Sequence, residues 1–189
     1  MDGVSYRPLI EDMTWSYSRI GAYEDCPYKF FLHYIKEYKD EDRFYASYGS
    51  FMHGLIERYY LGLLSKNDMV NAFLSGFSSQ VVGERPKGSI VDNYIRCGVD
   101  YLQSFQPFPY KMVAVEHRIE FEIAGNKMVG VIDFLGEEDG ELIIVDNKSR
   151  NLKPRSNRKK PTKNDEELDT MLRQLYLYAA AVKQKYGKY

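Results

Sequence analysis

A chain of 189 residues is long enough to bury one domain's core. Its 26 Lys and Arg against 27 Asp and Glu exclude a global field that would draw it to nucleic acid or a membrane surface. Two cysteines without CxxC spacing, Cys26 and Cys97, exclude a disulfide framework, and no apolar run reaches membrane-spanning length. That cysteine usage gives a reducing cytoplasm as the expected compartment, and no membrane partner is expected.

Residues 1–14 read as an irregular arm. The stretch "SYSRIGAYEDCPYKFFLHYIKEY" then predicts two short helices broken near Pro27, the first capped by Ser16 or Ser18. In "GSFMHGLIERYYLGLL" apolar pairs recur every four residues: Phe51/Met52, Leu55/Ile56, Tyr59/Tyr60, Leu63/Leu64. That is the pattern of a buried helix. Asn67 or Asp68 can cap a further helix over 69–82. A fourth helix, 89–105, is stopped by the prolines of "QPFPY".

The period then changes to two. In "VAVEHRIEFEI", Val113, Val115, Ile119, Phe121 and Ile123 share one face; Glu116, Arg118, Glu120 and Glu122 share the other. Gly125-Asn126 turns this strand into "KMVGVIDFL", and Asp139-Gly140 turns that into "ELIIVDNK". A long helix follows, 165–185, with Leu168, Met171, Leu172, Leu175, Ala179 and Val182 on its buried stripe. The expectation is one domain over 1–189: a helical part, 15–106, then a sheet core with its closing helix, 111–187. The fold class is α/β, a mixed α+β arrangement in which a three-strand antiparallel meander is flanked by helices. No breaker is evident at the end of the last helix, which leaves a C-terminally truncated fragment as one reading of the sequence.

The chemistry concentrates in the meander. Within a strand, residues i and i+2 share a face, which places Asp146 and Lys148 together, with Asp133 approaching from the neighbouring strand. Two close carboxylates repel each other unless a cation lies between them, and Mg²⁺ or Mn²⁺ suits oxygen ligands. Lys148 is then placed to orient or deprotonate water, or to steady a charged transition state. An exposed Asp146–Lys148 ion pair at a strand end is the structural alternative. Asp133 is harder to explain that way, between Ile132 and Phe134 and after Gly130, which permits close backbone approach. His53 and Glu57 lie one turn apart on the buried helix, and Gln174 and Tyr178 one turn apart on the last. Taken alone, His53 is better read as a satisfied buried histidine and the Gln174–Tyr178 pair as packing.

Taken in order, "SYSRIGAYEDCPYKFFLHY", "GSFMHGLIE", "VEHRIEFEI", "GVIDFL", "IIVDNKS" and "QLYLYAAA" resemble the PD-(D/E)XK nuclease superfamily, over residues 16–182. The similarity is to its RecB-type and CRISPR-associated exonuclease branch. The resemblance implies a restriction-endonuclease-like core. It implies His53, Asp133 and Asp146 as metal ligands, with the backbone carbonyl of Asn147 completing the set, and Lys148 as the catalytic lysine. Gln174 and Tyr178 match a QxxxY motif. Glu57 and Glu116 match acidic positions of the branch, although alternation puts Glu116 opposite the apolar face, where a surface charge also belongs. Some members of the branch carry an iron–sulfur cluster on one early and three late cysteines. Only Cys26 matches here, so a four-cysteine cluster is excluded within this chain and Cys26 is read as a small buried residue beside aromatics.

The segment "KSRNLKPRSNRKKPTK", 148–163, holds eight Lys and Arg and no acid. Arg150, Lys153, Arg155, Arg158, Lys159 and Lys160 are expected to contact DNA phosphates, a solvated loop being the alternative. The expected function is a Mg²⁺- or Mn²⁺-dependent DNA exonuclease acting on ends or single strands. DNA repair, recombination or phage and CRISPR-type processing would be its setting, with a helicase or recombination protein as partner. A non-cleaving DNA-docking module and a hydrolase of small phosphate esters are the alternatives.

Overall fold

Amphipathic helices and a period-two hairpin dominate the pattern, and both form. The structure is a computed structural model describing residues 6–38, 43–149 and 152–187. In chain order the elements are α1 (Arg7–Glu11), α2 (Tyr17–Asp25), α3 (Pro27–Phe30), a π turn (Phe31–Ile35), α4 (Phe44–Tyr60), a 3₁₀ turn (Lys66–Asp68), α5 (Met69–Gln80), α6 (Gly88–Ser104), β1 (Lys111–Ile123), β2 (Asn126–Glu138), β3 (Glu141–Val145) and α7 (Lys163–Tyr186). The sheet has the order β1-β2-β3, and β3 lies antiparallel to β2 from Phe134↔Val145 to Glu138↔Glu141. This is the mixed α/β fold with a helix-flanked antiparallel meander that the sequence predicts. No helix of the described residues is long and apolar enough to cross a membrane.

The chain forms two compact units, and the long β1–β2 hairpin contributes to both. One comprises residues 1–40, 117–132 and 154–189; the other comprises 41–116 and 133–153.

In the first unit the arm before residue 15 contains α1, so it is not wholly irregular. Ser16 caps α2, its Oγ accepting from the Arg19 N–H at 3.2 Å. Pro27 begins α3 rather than only ending α2, since a proline at the first helical position lacks only an N–H that would be unpaired there anyway. Trp15 bridges to β2, donating to the Lys127 carbonyl and accepting from the Val129 N–H, each at 2.8 Å, and stacks on buried Phe30. Gln184 and Tyr178 are among the residues that hold α7 to the hairpin. Gln184 exchanges two hydrogen bonds with the Glu122 backbone, at 2.8 and 3.2 Å. Tyr178 packs on Gly130, where a Cβ would meet its ring at 2.5 Å.

The buried line of α7 runs through Tyr178, Ala181 and Val182. Leu172, expected on that stripe, is 43% exposed. A breaker does close α7: Gly187, at φ 71°, donates its N–H to the Lys183 carbonyl.

In the second unit α4, α5 and α6 enclose a core rich in aromatics, including Phe44, Tyr48, Leu55, Phe73, Phe77 and Leu102. Phe73 is fully buried, stacked on Phe51 and edge-on to Phe77. Truncating such a residue costs about 3–5 kcal/mol. α4 ends at Tyr60, before Leu63 and Leu64, and Leu63 is 68% exposed. The reason is Gly62 at φ 71°. Its N–H bonds the Tyr59 carbonyl and the Leu63 N–H bonds the Arg58 carbonyl, a complete Schellman termination. Asp68 precedes α5, but its carboxylate accepts from the Ser65 hydroxyl, not from the helix. Tyr60 and Phe108 pack on Phe134 of β2, at ring-centroid separations of 4.7 and 4.9 Å.

Asp139 and Gly140 both have positive φ, 52° and 85°, as a two-residue primed turn requires. The other hairpin turn is at Ala124-Gly125 (φ 49° and 77°), one residue before the expected Gly125-Asn126.

Candidate metal centre

Three elements of the second unit deliver the centre. Continuing the Phe134↔Val145 register by one step sets Asp133 opposite Asp146, and the Asn147 N–H donates to Asp133 Oδ2 at 2.6 Å. α4 supplies His53, whose Nδ1 lies 3.6 Å from Asp133 Oδ2 and 3.5 Å from Glu116 Oε1. α4 approaches the 147–149 segment closely at Gly49, where a Cβ would lie 3.2 Å from Ser149 Oγ.

Glu116 corrects the alternation argument. The buried and exposed alternation of β1 holds from Arg118 to Glu122 but fails around Glu116, which adopts φ 44°. That left-handed residue breaks the strand's phase and brings its carboxylate beside His53 instead of leaving it on the wet face. One ligand atom from each of His53, Glu116 and Asp133 falls within 4.8 Å of the others.

The charges are strained. Burial raises the Asp133 carboxyl above its usual range, and Asp146 adds to this; His53, the Asn147 N–H and Lys148 oppose it. Burial also raises Glu116, with further pressure from Asp133 and from Glu57, half-buried one turn beyond His53 on α4. Two half-buried carboxylates with an imidazole form an oxygen-rich donor set that a divalent cation would neutralise, so the residues fit Mg²⁺ or Mn²⁺.

β3 ends at Val145, so Asp146, Asn147 and Lys148 follow the strand and the shared-face argument does not apply to them. They are nevertheless brought together: Lys148 Nζ lies 2.5 Å from Asp146 Oδ2, and the Asp146 side chain is only 9% exposed. The structure thus groups His53 and Asp133 with Glu116, while Asp146 holds Lys148.

Gln174 and Tyr178 belong to the first unit, where Gln174 Nε2 donates to the Tyr178 hydroxyl at 3.0 Å and Tyr178 is buried. In the basic segment Lys153, Arg158, Lys159 and Lys160 are exposed, Arg155 is paired with Asp169, and Arg150 lies outside the described residues. Cys26 is half-buried and serves as the N-cap of α3, its Sγ accepting from the Lys29 N–H. Sequence reasoning missed the network around Asp165. This residue is 2% exposed and accepts from the N–H and hydroxyl of both Ser156 and Thr162. The signal was present, since Thr162 and Asp165 have capping-box spacing.

A family model of the PD-(D/E)XK nuclease superfamily matches residues 14–189. Comparison with curated proteins finds no match.

Proposed function

Because the chain belongs to the PD-(D/E)XK nuclease superfamily, we propose that the His53–Glu116–Asp133 cluster and the adjoining Asp146–Lys148 pair are its centre for hydrolysing DNA phosphodiesters. The observation that carries this is the convergence of an imidazole and two carboxylates raised by burial on one point, with a lysine held one residue from the Asn147–Asp133 contact. His53, Glu116 and Asp133 would hold the cation, with Asp146 and the Asn147 carbonyl adjoining it. When bound, Mg²⁺ or Mn²⁺ supplies positive charge to the phosphate oxygens and acidifies water.

The residues do the rest. Asp146 holds the Lys148 ammonium in place. Lys148 hydrogen-bonds the attacking water or a phosphate oxygen, where negative charge grows as the new P–O bond forms and the opposite P–O bond breaks. Exposed Arg158, Lys159 and Lys160 would contact DNA phosphates. The ordered motifs support a RecB-type exonuclease acting on ends or single strands in DNA repair or recombination, with a helicase or recombination protein as partner. Gln174 and Tyr178 would serve the DNA strand or the position of α7.

Labelled single-stranded and duplex DNA, incubated with Mn²⁺ or Mg²⁺, tests this reading. Wild-type protein is expected to shorten the DNA, and Asp133→Asn and Lys148→Ala to lose that activity. Equal degradation by all three would refute it.

A further inference from the structure

Beside the centre, the second unit contains a cavity of about 310 Å³ that the hydrolytic chemistry does not use. This lies at the lower end of the ~300–1,000 Å³ range of small-ligand sites. One wall is the α4 row of Met52 and Ile56, one turn apart; the other is the α6 pair Cys97 and Tyr101, also one turn apart. Tyr101 is 42% exposed, with its ring tilted against Phe105. His53 and Lys148 line the same cavity. An apolar and aromatic chamber therefore opens onto Lys148, assigned above to the phosphate, and onto His53, assigned above to the cation.

We propose that this cavity is a nucleobase subsite, receiving the unpaired base of the nucleotide whose phosphate lies at Lys148. The inference rests on the nuclease reading and specifies its substrate class. A nucleotide joins a flat, apolar-faced ring to an anion through one sugar, and the cavity presents complementary walls and rim in that order. Base stacking on an aromatic side chain tolerates any sequence and contributes about tenfold or more to binding. In an intact duplex the ring is paired and stacked between its neighbours, so it enters only from a single strand, a frayed end or an extruded position. An apolar protein side chain would fill the walls but would bring no phosphate to the metal centre.

The test moves one abasic nucleotide stepwise along a single-stranded oligonucleotide. With Mn²⁺, cutting at the one bond in fixed register with the abasic nucleotide is expected to fall about tenfold, other bonds being cut as before. With Ca²⁺ alone, 2-aminopurine at the same register should be quenched on binding. Cys97→Trp, at an exposed helix position, fills the cavity. It should abolish both the register effect and the quenching while leaving the melting temperature near wild type. Tyr101→Ala should weaken the intact strand about tenfold and the abasic strand little.

Cutting with a uniform abasic penalty, or a register effect that survives Cys97→Trp, overturns the subsite and leaves the nuclease reading standing. Register-specific quenching without any cutting keeps the subsite and overturns the nuclease reading. Absence of DNA binding overturns both.

Discussion

Asp165 and Asp133 are both carboxylates withdrawn from water, and the protein treats them in opposite ways. Asp165 accepts the Ser156 hydroxyl, the Thr162 and Ser156 N–H groups and the Thr162 hydroxyl, at 2.6–2.8 Å, which holds its carboxyl well below the usual range. Asp133 accepts one backbone N–H and faces Glu116 and Asp146, so burial raises it. A carboxylate whose oxygens are all supplied with donors is a fastener, here joining the loop before α7 to the helix. One left short of donors among other carboxylates requires added positive charge. The charges of the two residues are equal, and their surroundings separate structure from chemistry.

Substitution at each breaks the comparison most sharply. Asp133→Asn should lower Mn²⁺-dependent DNA cleavage by about 100-fold or more. The same change should raise the melting temperature of metal-free protein, because it removes repulsion, and should abolish its further rise with Mn²⁺; calorimetry with and without metal reads both. Asp165→Asn should instead lower the melting temperature by several degrees, since an amide nitrogen meets the N–H donors that the carboxylate accepted.

The pH dependence sharpens the contrast, and its signs are opposite. The raised Asp133 and Glu116 bind protons more readily folded than unfolded. Their contribution is full below the unfolded carboxylate pKa, about 4, and is lost as pH rises through their folded values. The lowered Asp165 contributes stability above about pH 4 that is lost as pH falls through its folded value. Thermal melts of metal-free protein should therefore show Asp133→Asn flattening the decline above about pH 4. Asp165→Asn should flatten the decline on the acid side. Mn²⁺ should raise the melting temperature more at neutral pH than at acid pH, because protons compete for the same oxygens.

The smallest effect belongs to the basic segment. Alanine at Arg158, Lys159 and Lys160 together should reduce the salt dependence of single-strand binding by a slope of about 2, at roughly 0.7 per phosphate contact. An unchanged slope in a fluorescence titration would show that these residues are only solvated.

Much of this was legible in the sequence because local pattern and tertiary packing agreed. The α6 span and the Asp139-Gly140 turn follow from periodicity and turn chemistry, whereas Gly130, expected to admit a close backbone, admits the Tyr178 ring instead. Asp133 stood out as a charge in an apolar strand. Leu63 and Leu64 were misplaced because Gly62 ends α4 through a backbone conformation that apolar spacing does not report. The alternation argument failed at Glu116 because one positive φ reverses a strand's phase, and nothing about a glutamate announces it; only the family resemblance marked that position. Asp146 and Lys148 were paired for the wrong reason, since they follow the strand and meet through their charges.

The central claim is that Glu116 joins His53 and Asp133 around one cation. Anomalous diffraction from crystals soaked in Mn²⁺ tests it directly. The account predicts one strong peak about 2.2 Å from oxygens of Asp133 and Glu116, with His53 Nδ1 completing the group. A peak held by Asp133 and Asp146 with Glu116 turned away, or no peak among these side chains, would contradict it.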